Sequence, residues 1–244
     1  MFAGLYSCNL LAACETTHYD ETARLDKVYD GDTIRLTDGR KVRIIAINTP
    51  EMAHKERPAQ ALALEASQAL KQKFQTSSVV YLKYGEDRKD RYNRLLAHVF
   101  NEQGQNVAAD MIRAGLGFAI LVPPNEWQHE CYFKQEQFAV KQQKGVWAQA
   151  DYRPKQAIDL SRQMTGFQLV EGRVAKIGQG KKWLWLDLAP LFSVKVQRRN
   201  LKYFVDQPIE TLIGRRISVR GWAVYYNGKL RMSLGHPAMM EILD

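Results

Sequence analysis

Cysteine is scarce, at three of 244 residues. Cys8 and Cys14 fall within the first fourteen residues, and Cys131 stands alone in the body of the chain. That placement predicts neither a disulfide framework nor a thiolate metal cluster. Long apolar runs are also lacking. None reaches the roughly 18 residues that a membrane-spanning helix requires, which excludes such a helix. Short-period repeats and low-complexity tracts are absent as well. What remains is the composition of an ordinary folded chain, with 45% hydrophobic and 25% charged residues.

The positive charge is unevenly spread. Residues 1–164 carry 22 basic and 20 acidic groups, a net of +2, whereas residues 165–244 carry 13 and 6, a net of +7. A basic module behind a near-neutral one points to a tail that holds a polyanion such as DNA or RNA. The N-terminus reads MFAGLYSCNLLAAC, apolar and then abruptly polar. Leu11-Ala12-Ala13-Cys14 resembles a bacterial lipobox, in which the cysteine is lipidated. This predicts an export segment over residues 1–20, membrane attachment through Cys14, and a place in the cell envelope or secreted space. A cytoplasmic protein with an apolar terminus is the alternative.

From Arg24 onward the pattern is one of short strands. Leu25–Tyr29, Thr33–Leu36 and Lys41–Ile47 are separated by Asp30-Gly31-Asp32 and Asp38-Gly39, the signature of an antiparallel meander. A helix is predicted over Ala59–Gln75, with Leu62, Ala66, Leu70 and Phe74 on one stripe. Strands at Val79–Leu82 and Leu95–Phe100 flank a charged loop. Asn106 caps a second helix ending at Gly115, and Gln128–Gln143 supplies a third. An α+β domain over residues 21–148 follows, a small barrel carrying three helices. Residues 149–165 read as a linker. Residues 166–244 read as a basic all-β barrel, with strands at 167–176, 183–188, 192–197, 216–226 and 229–234 and a hairpin at Asn227-Gly228.

Four segments carry chemistry. Asp30-Gly31-Asp32-Thr33 sets two carboxylates around a tight turn, oxygens that a hard cation accepts at roughly 2.3–2.6 Å. Arg43 interrupts an apolar strand, on the face of Ile45 and Ile47, and must find an anion there. Asn48-Thr49-Pro50-Glu51 could simply begin a helix. It also lies a short turn beyond Arg43, so that a carboxylate and a guanidinium can face one cleft. Asp90-Arg91-Tyr92-Asn93-Arg94 supplies arginines, which match phosphate bidentately. Each segment alone has a plain structural reading as turn, ion pair, helix start or solvated loop.

Their joint order resembles the thermonuclease family, whose prototype is staphylococcal nuclease. The resemblance runs from about Arg24 to Trp147, through Asn106-Val107-Ala108, Ala114-Gly115-Leu116-Gly117 and Gly145-Val146-Trp147. It implies a five-stranded oligonucleotide-binding (OB) barrel with three helices and a calcium-assisted phosphodiesterase. Asp32 would ligate calcium, Thr49 would lend its backbone carbonyl, and Glu51 would be the general base. Arg43 and Arg94 would hold the scissile phosphate, while Arg91 and Tyr92 would contact substrate phosphate. Two departures stand out. Asn48 replaces an aspartate of the prototype, removing a charge but keeping an oxygen for the metal. Ala119–Pro124 lacks the aromatics that pack the substrate base. A protein that keeps the fold, binds nucleic acid and does not cut it is the alternative function.

In the basic tail, Trp183-Leu184-Trp185-Leu186 alternates cleanly and leaves both tryptophans outside the core. Arg216, Arg220, Trp222, Val224 and Tyr226 share the solvent face of the hairpin, and Lys229 and Arg231 join them across the turn. Aromatics interleaved with cations form a stacking platform with a phosphate track, as single-strand binders use. Packing of a tryptophan under a loop is the plain reading of the same pattern.

Overall fold

The structure is a computed structural model and describes residues 14–54 and 57–244. The chain separates into two compact units, one formed by residues 1–119 and 128–144, the other by 120–127 and 145–244. The segment 120–127, which the sequence reading left in the first domain, thus belongs with the second unit.

The first unit opens with β1 (Glu21–Val28), β2 (Thr33–Leu36), β3 (Lys41–Ile44) and the two-residue β4 (Ile47–Asn48). Helix α1 (Ala63–Gln72), β5 (Val79–Lys89), β6 (Leu95–Phe100), α2 (Val107–Arg113), β7 (Phe118–Ala119) and α3 (His129–Lys141) follow. β1, β2, β3, β6 and β5 close a barrel in that order, with β3 and β6 parallel. Ile34, Leu36, Val42, Ile44, Val80, Leu82, Ala97 and Val99 fill it, each at most 1% exposed. Burying one such aliphatic side chain is worth roughly 1.5–3 kcal/mol, so these residues hold the barrel closed.

Local chemistry moved several boundaries. α1 starts at Ala63 rather than Ala59 because Leu62 stands in the left-handed region at φ 66°. Its buried stripe, Ala66 and Leu70 with Phe74 just beyond, is the one that periodicity predicts. The ladder of β3 ends at Ile44, because Ala46 turns left-handed at φ 70°. Ile47 then pairs with Ala119 of β7 instead. The expected register of Arg43 with Ile45 and Ile47 is therefore broken after Ile44. β5 runs on through Glu86–Lys89, which the sequence reading took for a loop. Its charged side chains there are exposed, as an edge segment allows.

Asn106 caps α2 by accepting the Ala109 N–H at 3.1 Å, and its amide donates to Cys14 O and to the Tyr132 hydroxyl. Beside that cap lies a disulfide between Cys14 and Cys131. Two expectations are corrected here. The cysteines do form a bridge, although 117 residues of sequence separate them. The Cys14 sulfur is spent in it, and a disulfide sulfur cannot also carry the thioether of a lipid. The rest of the lipobox, residues 11–13, and Cys8 lie outside the described residues.

The second unit begins with short helical turns and β8 (Lys155–Gln156), which pairs in parallel with β9 (Gly166–Arg173). The stretch read as a linker is thus built into this unit, with Ala157 and Leu160 buried. β10 (Lys176–Gln179), β11 (Trp183–Ala189), β12 (Phe192–Gln197), β13 (Arg216–Tyr226), β14 (Lys229–Ser233) and β15 (Met240–Ile242) complete it. The sheet order is β10-β11-β12-β14-β13-β9. β9 and β10 are one bent strand interrupted at Val174-Ala175, whose N–H groups bond Arg215 O and Asp187 O. The path therefore returns to its start, and β12 and β14 run parallel. This is the strand order of the first barrel, repeated. Asn227 and Gly228, at φ 48° and 77°, make the hairpin turn that their sequence predicts.

Candidate active site and cationic face

The site residues of the first barrel come from four places that the fold brings together. Asp32 ends the turn between β1 and β2, where Asp30 Oδ1 accepts the Asp32 N–H at 3.0 Å. Gly31 lets this turn press against its neighbours. A Cβ there would stand 2.7 Å from Thr49 Cγ2 and 2.8 Å from Ala66 Cβ, closer than real contacts allow. Gly117 does the same from the other side, since a Cβ would fall 2.9 Å from Asn48 O. Asp32, Asn48 and Thr49 are buried as a result.

Asp32 is held from three directions. Oδ1 accepts the Thr33 hydroxyl at 3.0 Å, and Oδ2 accepts the Thr49 N–H at 3.0 Å. Arg43 Nη2 stands 3.0 Å from the same Oδ2. Arg43 Nη1 donates to Ile44 O at 2.5 Å and Ile47 O at 2.8 Å, so the break after β3 supplies acceptors that orient the guanidinium. This is the anion that the lone arginine of the strand had to find.

Glu51 lies in irregular backbone, not at a helix start, and Gln60 Oε1 accepts its N–H at 2.8 Å. Burial raises the pKa of its carboxyl, and the charge of Asp32 adds to the rise. Arg43 and Arg94 oppose it. Those couplings place Glu51 within electrostatic reach of Asp32, Arg43 and Arg94 together. Asp30 is pushed up to about 7, chiefly by burial and then by Asp32.

Arg94 comes from the turn that leads into β6. Asp90 accepts its Nε–H at 2.7 Å and its backbone N–H at 2.9 Å, and Asn93 turns through φ 61° to allow this. With Nε engaged, the two terminal amino groups can meet a phosphate side by side. Tyr92, 65% exposed, stands beside Arg94, with the guanidinium of Arg91 4.8 Å from its ring. Asp90 and Asp30 touch Arg94 and Asp32, and the sequence reading did not name them as site residues. The only available signal was that each is the first aspartate of its motif.

Two carboxylates, Asp30 and Asp32, lie close enough to interact, and the Asp30 carboxyl is pushed up mainly by burial and then by the Asp32 charge. Carboxylate oxygens of this kind are what a hard divalent ion takes. Among the described residues no cluster of three or more His, Cys, Asp or Glu side chains forms a metal site. A metal would therefore rely on amide and carbonyl oxygens as well.

Residues 41–149 match the family model described as staphylococcal nuclease homologue. The chain is 33% identical over 138 residues to a thermonuclease of Staphylococcus hyicus, covering 53% of this chain and 77% of that one. A thermonuclease of Staphylococcus intermedius is 34% identical over 131 residues, covering 52% and 76%. The chain belongs to the staphylococcal nuclease family. A third relative, endonuclease YhcR of Bacillus subtilis, is 30% identical over 138 residues, which is 52% of this chain and only 11% of that protein. The matched residues 41–149 run from β3 through α3, after the first two barrel strands, and most of the second unit lies beyond them.

In that second unit Leu184, Leu186 and Leu188 are buried, and Trp183 and Trp185 lie on the other face. Trp185 pairs with Lys195 of β12, and Ser193 with Arg231 of β14. Arg231 in turn pairs with Val224 of β13, and Lys229 with Tyr226. Lys195 Nζ is 4.6 Å from the Trp183 ring centre, and the Arg231 guanidinium is 5.0 Å from Trp185 and 5.1 Å from Tyr226. Burial lowers the Lys195 pKa, and the charges of Arg231 and Lys182 lower it further. Trp183, Trp185, Tyr226, Lys229 and Arg231 thus share one surface. Lys195, which sequence reasoning missed, sits at its centre. Arg216 instead pairs with Arg173 of β9 and bonds Glu171 at 3.5 Å. Arg220 lies across from Leu169, and Trp222 packs edge-on against Phe167 at 5.3 Å. These three lie along the β9 side of β13.

Proposed function

We propose that this chain is a divalent-metal-dependent nuclease that hydrolyses phosphodiester bonds of DNA or RNA, with calcium as its ion. The Asp32–Arg43 ion pair, with Glu51 in electrostatic reach of it and of Arg94, carries this reading. Attack on a phosphodiester builds negative charge on its non-bridging oxygens. Arg43 and Arg94 would bind those oxygens, and preorganised donors of this kind are each worth roughly 3–4 kcal/mol of barrier. Glu51, with its raised pKa, would take the proton of the attacking water, an effect of roughly 10²–10⁴ in rate. An ion held by Asp32, Asn48 and Thr49 would supply further Lewis-acid stabilisation of the same charge.

The second barrel is proposed to hold the polymer. Bases would stack on Trp183, Trp185 and Tyr226 while Lys195, Lys229 and Arg231 meet phosphates. The Cys14–Cys131 bridge supports work in an oxidising compartment, the cell envelope or beyond it.

The decisive experiment incubates the whole protein with single- and double-stranded DNA and with RNA, with calcium or a chelator, beside Glu51→Gln and Arg43→Ala. Calcium-dependent cleavage lost in both variants is expected. No cleavage, or cleavage that neither substitution changes, would sink the proposal. For the second barrel, Trp185→Ala with Arg231→Ala should weaken binding and flatten its salt dependence. Unchanged affinity would make this face mere solvated surface.

A further inference from the structure

Beside Arg94 lies a cleft of about 510 Å³, walled by the β2–β3 turn on one side and by the end of β5 and start of β6 on the other. Asp38, Arg40, Lys41, Lys89, Tyr92 and Arg94 line it. Most of its charges are already matched. Arg40 bonds both Asp38 and Glu21, and Arg94 bonds Asp90. Lys41 and Lys89 differ. Among the described residues neither forms an ion pair; Lys89 Nζ meets only the neutral Asn93 oxygen at 3.0 Å, and Lys41 Nζ lies 4.9 Å from the Tyr29 ring centre.

Their positions follow from the strands. Lys41 and Arg43 lie on the same face of β3, since Val42 between them is buried inside the barrel. Two residues along a strand span roughly 6.6 Å, a step comparable to that between neighbouring phosphates of an extended nucleic-acid strand. On the other wall, Lys89 pairs with Leu95, the residue after Arg94. Arg43 is thus followed by Lys41, and Arg94 is neighboured by Lys89. One cationic pair stands behind the other.

We propose that Lys41 and Lys89 form a second phosphate clamp, which grips the phosphate adjoining the scissile one and makes the enzyme prefer polymer over dinucleotide. This rests on the nuclease reading and adds a specificity element to it. The two lysines bind and position; they take no part in bond breaking. As flexible point charges, they suit a phosphate that must be released and regripped.

The test compares a dinucleotide with a long single strand in calcium, using the whole chain and the variant Lys41→Gln with Lys89→Gln. The expected result is an unchanged kcat on both substrates and a KM about tenfold higher on the long strand alone. The slope of log KM against log salt should also fall by about 0.7, for the one single-strand phosphate no longer neutralised. Lys41→Arg with Lys89→Arg should restore both. A KM ratio that the glutamines leave unmoved overturns the clamp while the nuclease reading stands. Equal loss of kcat on both substrates also overturns it, because the lysines would then belong to the catalytic geometry. A wild-type protein that cuts neither substrate overturns both readings.

Discussion

The carboxylate of Asp90 holds Arg94 at two points, accepting its backbone N–H at 2.9 Å and its Nε–H at 2.7 Å. One aspartate thereby fixes both the turn and the plane of the guanidinium. Asp90→Ala should lower kcat by roughly 10²-fold with a smaller change in KM, since a displaced donor is lost chiefly in the transition state. Steady-state kinetics on a defined oligonucleotide reads this directly.

The same pair sets a pH dependence. Burial would raise the Asp90 pKa, but the bonds from Arg94 outweigh it, and the carboxyl titrates below its ordinary value. A depressed carboxylate contributes stability that is present above the unfolded pKa, about 3.9, and is lost as pH falls through the folded one. Denaturant melts between pH 5 and pH 2 should therefore show Asp90→Ala converging on the wild type at the acid end. Parallel curves would contradict this.

Arg43→Lys should not behave as a conservative change. A lysine cannot bond Asp32, Ile44 O and Ile47 O in one plane while facing a phosphate. A fall in kcat on the order of 10²–10³ is expected. Circular dichroism should show the fold intact.

Gly31→Ala should destabilise the protein by about 1–3 kcal/mol, because the new methyl meets Thr49 and Ala66 at sub-contact distance. It should also weaken calcium binding, since the turn that carries Asp32 must shift. Calorimetric titration together with thermal melts would separate the two effects.

Asn48→Asp restores a negative charge next to Asp32 and should tighten calcium binding roughly tenfold or more. Without calcium it should lower the melting temperature, as a third carboxyl joins Asp30 and Asp32. Binding isotherms that match the wild type would place residue 48 outside the ion's reach.

The sequence revealed the residues that break a local rule, because a broken rule needs a reason. Arg43 in an apolar strand, two aspartates around Gly31, and arginines after Asp90 each stood out against their surroundings, and their order pointed to the fold. Residues that obey local rules stayed hidden. Ala46 carries no mark of its left-handed turn, yet it redirects Ile47 to Ala119, and Ile47 O accepts from Arg43. Asp90 read as an ordinary turn aspartate until its partner was known. Lys41, Lys89 and Lys195 look like any exposed lysine in one dimension, because cross-strand register alone brings them to their neighbours. The Cys14–Cys131 bridge was the plainest omission, since spacing along the chain says nothing of a contact made through a packed cap at Asn106.

That bridge has a consequence for survival among proteases. Asp32, Arg43, Glu51 and Arg94 all lie between its two ends. A single peptide-bond cut anywhere in that interval leaves two fragments that cannot diffuse apart, and these four residues stay tethered together wherever it falls. A nicked molecule would run as one band until a thiol is added, and it would keep the chance to close its barrel again.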